Sequence, residues 1–149
     1  MTHEERNNLI AIVTSLLING WLGWRVWTLY QAGEFAGPDA LMLWARTVLW
    51  VIPASVVLTI ILTIVFTILF AIATRDENPD FTVDERDKNF GRRGMIAAMV
   101  VASGGFLLAV GLLALGWTAF AAFNILYAGF ALASLAGNVV TLGSYRRGY

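Results

Sequence analysis

Residues 48–73, VLWVIPASVVLTIILTIVFTILFAIA, contain no Asp, Glu, Lys, Arg or His. About 20 consecutive apolar residues are enough for an α-helix to cross a hydrocarbon core, and this run is longer than that. A helix satisfies its own backbone hydrogen bonds in lipid, whereas a lone strand cannot. The rest of the chain repeats the pattern. Residues 9–29, 94–115 and 118–142 form three more apolar stretches, and the second span lies within residues 41–73. All are far longer than the strands of a membrane barrel. The expectation is an all-α integral membrane protein with four transmembrane helices, forming a single domain over residues 1–149.

Composition points the same way. Of the 149 residues, 58% are hydrophobic and only 13% charged, about half the charged share of a soluble domain. A soluble fold of this size cannot hide so much apolar surface. Roughly half of the charged side chains crowd into residues 75–93. The formal net charge of zero argues against a nucleic-acid partner. The chain has no Cys, which removes disulfides, thiolate metal sites and cysteine nucleophiles. His3, the single histidine, sits in the N-terminal tail, so two histidines of one chain cannot ligate a haem. P-loop and dinucleotide glycine patterns are absent. No nucleophile has a believable base, and the expectation is a non-catalytic chain without cofactor or metal. Residues 1–8 hold Glu4, Glu5 and one Arg. That is not the basic start of a cleavable signal, so the first span is expected to remain as an anchor.

Basic residues set the orientation. Arg6, Arg75, Arg86, Lys88, Arg92, Arg93, Arg146 and Arg147 fall on one side of the four spans, and only Arg25 and Arg46 toward the other. The positive-inside rule then places both termini and the 75–93 connector in the cytoplasm. Trp21, Trp24, Trp27, Trp44, Trp50 and Trp117 all lie toward the outer side, where indoles anchor helices at the headgroups. The pattern is that of a bacterial cytoplasmic (inner) membrane protein.

A helix over all of residues 41–73 would be about 50 Å long, too long for a simple span. Pro53 removes one helical hydrogen bond and is expected to bend the helix near its outer end. Gly37-Pro38 supplies the preceding turn and Asp39 a helix cap. Between spans three and four, Gly116 is suited to a left-handed helix end, making a tight antiparallel hairpin.

Polar groups within the spans need partners. Asn19, Asn124 and Asn138 read as interhelical bonding groups, with a ligand or ion path as the alternative. Ser55, Thr59, Thr63 and Thr67 recur every four residues on one face of span two. They either line a narrow polar path or bond their own backbone and pack a helix contact. Gly94, Ala98 and Ala102 on span three, and Gly129, Ala133 and Gly137 on span four, are small-residue faces for close helix packing. Their partner is either each other or another subunit, and the span-four face, extended by Thr141, is the stronger candidate for subunit contact.

The connector holds VDERDKNFGRRG at 83–94. Thr82 and Glu85 have capping-box spacing, Asp84 and Lys88 form an i,i+4 pair, and Gly91 and Gly94 permit bends. A short amphipathic surface helix is expected ahead of span three. Asp84, Glu85, Arg86, Asp87, Phe90, Arg92 and Arg93 would be its partner-docking face. The carboxylate spacing fits neither an EF-hand nor a zinc hydrolase.

The run DERDKNFGRRG, followed by an apolar hairpin and YRRG at 145–148, resembles a family of small uncharacterised bacterial inner-membrane proteins. Their loop carries an Asp-Glu-Arg-Asp run with an apolar or aromatic residue soon after. Asp84, Glu85, Arg86 and Asp87 match that run, and Phe90 follows. The match is closer in the second half of the chain. The resemblance implies a four-span fold and no particular reaction. The expected function is an accessory or assembly subunit of a larger membrane complex, with the lipid bilayer and other subunits, or a second copy, as partners. A small homo-oligomeric transporter or channel, and a regulatory protein docking through residues 75–93, are the alternatives.

Overall fold

The computed structural model describes residues 3–74 and 85–147, and side chains from residue 5 to 72 and from 85 to 147. Five helices follow one another: α1 (His3–Gln31), α2 (Ala40–Leu49), α3 (Val51–Thr74), α4 (Glu85–Ala114) and α5 (Ala119–Arg147). α2 and α3 run on as a single apolar stretch, so among the described residues four helices are long and apolar enough to cross a membrane.

Local chemistry explains the ends of these helices. After α1, Gly33 has φ +76°; its N–H donates to the Tyr30 carbonyl at 3.0 Å, and Glu34 N–H to that of Leu29 at 3.1 Å. After α4, Gly116 has φ +83°, with Gly116 N–H on the Leu113 carbonyl and Trp117 N–H on that of Leu112, both at 3.0 Å. Both sets are Schellman closures, in which a left-handed residue lets two amides turn back on the last free carbonyls. Thr118 then starts α5, its Oγ1 accepting the Ala121 N–H at 3.2 Å. Before α2, the Ala40 N–H reaches the Gly37 carbonyl at 3.2 Å. With Asp39 at φ −88°, ψ 5° and Pro38 leading, this is a type I turn. Asp39 occupies the N-cap position, but its side chain makes no capping bond.

Regular helix lapses at Trp50, three residues before Pro53. The proline has no N–H to give the Leu49 carbonyl, and its ring crowds that oxygen. The effect expected of Pro53 is thus seen as this one-residue interruption between α2 and α3.

Two expectations about the connector change. Residues 85–93 are not a separate surface helix; they are the opening turns of α4, which continues unbroken through Gly91 and Gly94 to Ala114. Helix propensity outweighs the two glycines, and Gly94 serves packing instead of a bend. Thr82, Val83 and Asp84 lie outside the described residues. The expected Asp84–Lys88 pair falls with Asp84 outside those residues; Lys88 Nζ lies 3.6 Å from Glu85, an exposed ion pair worth little.

Packing follows the order α3, α1, α5, α4, with α2 resting on α1 and α5. The closest contact is the α4–α5 hairpin. A Cβ added to Gly94 would run into Thr141 Oγ1 and lie 2.5 Å from the Gly137 carbonyl oxygen. A Cβ on Gly105 would lie 2.6 Å from Gly129 Cα. Ala133, Gly137 and Thr141 are buried in the same seam. The span-four face is therefore not open to another subunit, because α4 covers it. Small side chains bring the two backbones together, and dispersion replaces the hydrophobic effect that lipid cannot supply. α3 is peripheral: none of its described side chains is buried, and it packs mainly on α1 apart from its junction with α2.

Candidate functional site

α3 leans mainly on α1, and a cleft of about 450 Å³ opens between these two helices and α5. Its walls use the face of each helix that sequence periodicity brings round. α3 contributes Val51, Ser55, Thr59 and Thr63, four residues apart. α1 contributes Asn7, Ile10, Ala11, Thr14, Ser15, Ile18 and Asn19, and α5 adds Tyr127, Phe130, Ala131 and Ser134.

Asn19 is the central polar group. Its Nδ2 donates to the Ser15 carbonyl at 2.7 Å and to Ser15 Oγ at 3.1 Å. Its Oδ1 accepts the Tyr127 hydroxyl at 2.7 Å. The amide thus joins α1 to α5 across the wall of the cleft. Ser55 donates to the Ile52 carbonyl and Thr59 to that of Ser55, both at 2.8 Å. With their protons spent on backbone, these hydroxyls present acceptor lone pairs to the cleft. Thr67 is exposed farther along α3 and does not line it. The cleft can hold an elongated, mostly apolar molecule and offer it neutral hydrogen-bonding groups.

The other asparagines are placed apart. Asn124 Oδ1 accepts the Trp44 indole N–H at 3.0 Å, and its Nδ2 donates to the Phe120 carbonyl at 2.8 Å. Trp44 is consequently 8% exposed and tilted against Phe123, with ring centres 5.7 Å apart. It is a packing residue of α2 on α5. Trp21, Trp24, Trp27, Trp50 and Trp117 are exposed.

Asn138 donates to the Ser134 carbonyl at 2.9 Å and lines a second pocket of about 330 Å³ with Asn8, Asp87, Thr141 and Tyr145. Here the proposed docking face is partly consumed. Tyr145 donates its hydroxyl to Asp87 at 2.6 Å and meets Phe90 edge-on, with centres 4.9 Å apart. Phe90 is buried at 3% exposure, with the Arg86 guanidinium 5.1 Å from its ring. Phe90 is thus a helix-joining residue and cannot dock a partner. Glu85, Arg86, Arg92 and Arg93 remain exposed, and Asp84 lies outside the described residues. Asp87 and Phe90 near the start of α4 thus meet Tyr145 near the end of α5.

Ala98 faces Gly137, with 3.1 Å between its Cβ and one built on that glycine, while Ala102 is half-buried. Sequence reading missed four groups. Gly105 was hidden beside Gly104, and only one of them meets α5. Tyr127 is a phenol within an apolar span, which should have signalled an acceptor nearby. Arg6 and Thr14 share one face of α1 with Ile10 at four-residue steps, a spacing that marks them as inward-facing.

The fold thus defines an all-helical protein whose four apolar helices fit a multi-pass membrane protein. No protein-family model, curated protein or solved structure matches the chain.

Proposed function

We propose that this chain is a non-catalytic accessory or assembly subunit of a larger complex in the bacterial cytoplasmic membrane, with both termini cytoplasmic. The observation that carries the reading is α3. It is a full apolar span with none of its described side chains buried, held mainly by one neighbour. Beyond Thr63, the last of its residues to line the cleft, Thr67 is exposed. A small polar residue exposed on a peripheral span is a contact that a neighbouring helix can cover closely. The tight α4–α5 hairpin then acts as the rigid half of the subunit and α3 as its attachment half. The exposed charges of Glu85, Arg86, Arg92 and Arg93 supply a cytoplasmic contact for the same partner.

A photo-crosslinking residue at Thr67, with the chain at native abundance, tests this, followed by gentle extraction and native mass measurement. A stoichiometric adduct with a different membrane protein is expected. A chain that extracts as a monomer, with only lipid adducts at Thr67, would reject the reading. A second reading, a small homo-oligomeric transporter, draws on the cleft, whose hydroxyls and Asn19 could be closed over by a second copy. A symmetric dimer with α3 at its centre would favour it. The regulatory alternative is weakened by the engagement of Asp87 and Phe90 within the chain.

A further inference from the structure

Arg6 is 6% exposed, and its Nε has no hydrogen-bond partner. Its guanidinium carbon stands 5.8 Å from the centre of the Phe70 ring, a cation–π contact that leaves the hydrogen-bonding capacity of Nε–H unused. Among the described residues no carboxylate pairs with it. A buried cation in this position is costly unless an anion joins it.

The place of this cation is specific. Arg6 lies beside Asn7 and one turn before Ile10, both of which line the cleft; Phe70 lies beyond Thr63, the last cleft residue of α3. The Arg6–Phe70 contact therefore lies just beyond the end of the cleft's lining, between α1 and α3. From that end the cleft runs past Thr14, a buried residue whose Oγ1 also has no partner, to Asn19 and Tyr127. A single positive charge at the mouth of an elongated, mostly apolar cleft matches the division of a lipid into head and tail.

We propose that the cleft between α1, α3 and α5 binds one anionic glycerophospholipid, its phosphate at Arg6 and an acyl chain along Ile10, Ile18 and Phe130. The phosphate supplies the charge and acceptor oxygens that the guanidinium lacks. The ester groups meet the hydroxyls and amides farther in. A basic group between membrane helices at the headgroup level is a physically suitable receptor for such a head group, and the cleft volume falls within the usual range for ligand pockets. The lipid would also fill the space that separates α3 from α5.

The full chain, solubilised in neutral detergent, can be titrated with phosphatidylglycerol, phosphatidylcholine or inorganic phosphate and followed by native mass spectrometry. One phosphatidylglycerol should be retained at least about tenfold more tightly than phosphatidylcholine, about 1.4 kcal/mol. Arg6→Gln should bring the two lipids level, while Arg25→Gln, an exposed arginine at the opposite end, should keep the preference. Ala11→Phe fills the cleft and leaves Arg6 in place; it should weaken phosphatidylglycerol binding about tenfold or more. Unchanged preference in a folded Arg6→Gln chain overturns the proposal. So does inorganic phosphate bound as tightly as the lipid, which would make this a free-anion site. Should Arg6→Gln fail to insert, Ala11→Phe decides alone: full binding in that variant overturns the cleft assignment.

Discussion

Gly104 and Gly105 are neighbours on α4 with the same chemistry, but a methyl group would meet different surroundings at each. At Gly104 nothing lies within 4 Å of an added Cβ, whereas at Gly105 the Gly129 Cα is 2.6 Å away. The obstacle at Gly105 is backbone, so no side chain can rotate clear. Restoring ordinary carbon–carbon contact near 3.5–4.0 Å requires the helices to separate by roughly 1 Å. A gap of that size forfeits a quarter to a half of the dispersion attraction along the seam. Overpacking of this kind costs about 1–3 kcal/mol, and alanine's better helix propensity returns at most about 1 kcal/mol. The propensity gain is shared by Gly104→Ala and cancels, so Gly105→Ala should destabilise the chain by about 1–3 kcal/mol relative to Gly104→Ala, roughly a five- to 150-fold change in the unfolding equilibrium. Denaturation in mixed micelles, followed by tryptophan fluorescence and circular dichroism, measures both variants side by side. Equal stability of the two would show that α4 and α5 do not meet at Gly105 and Gly129.

Ala133→Leu places bulk in the same buried seam, so it should destabilise the isolated chain by about 1–3 kcal/mol, more than Leu132→Ala at the exposed neighbouring position; the same micelle denaturation compares them. If Ala133→Leu instead removes only an intermolecular association and leaves the chain's own stability intact, the packing described for this face is wrong. Tyr127→Phe leaves Asn19 Oδ1 without its interhelical donor and should cost about 0.6–1.7 kcal/mol, the scale of hydrogen bonds inside membranes; no loss would show that the bond is not made in lipid. For topology, a reporter at residue 36 should appear outside and reporters at residue 80 and after Tyr149 inside; the reverse pattern at all three sites would reject the orientation while keeping four spans.

Much of this architecture follows from short-range chemistry. The absence of charge over residues 48–73 demands a helix in lipid whatever lies beside it. Pro53 disturbs the helix through its own missing N–H, and Gly116 turns the chain through its own lack of Cβ, so span count, the interruption near Pro53 and the hairpin were legible along the chain. Partner choice was not, because one helix presents several faces and periodicity does not say which neighbour each will meet. Trp44 and Trp50 carry the same indole, yet only Trp44 faces Asn124, and this separates a packed residue from an exposed one. Phe90 looked like a docking residue until Tyr145, distant in sequence, covered it. The small residues of α5 signalled a close contact, but whether α4 or another molecule would make it depended on the direction in which the hairpin closed. Arg6 was legible as one of the charges that orient the chain. Its burial against Phe70, with an unpartnered Nε at the end of a cleft, arises only when α1 and α3 are brought together. Charge and hydropathy along the chain set where each segment sits relative to the membrane, while the lateral arrangement of helices, and with it every pocket, depends on contacts between residues far apart in sequence.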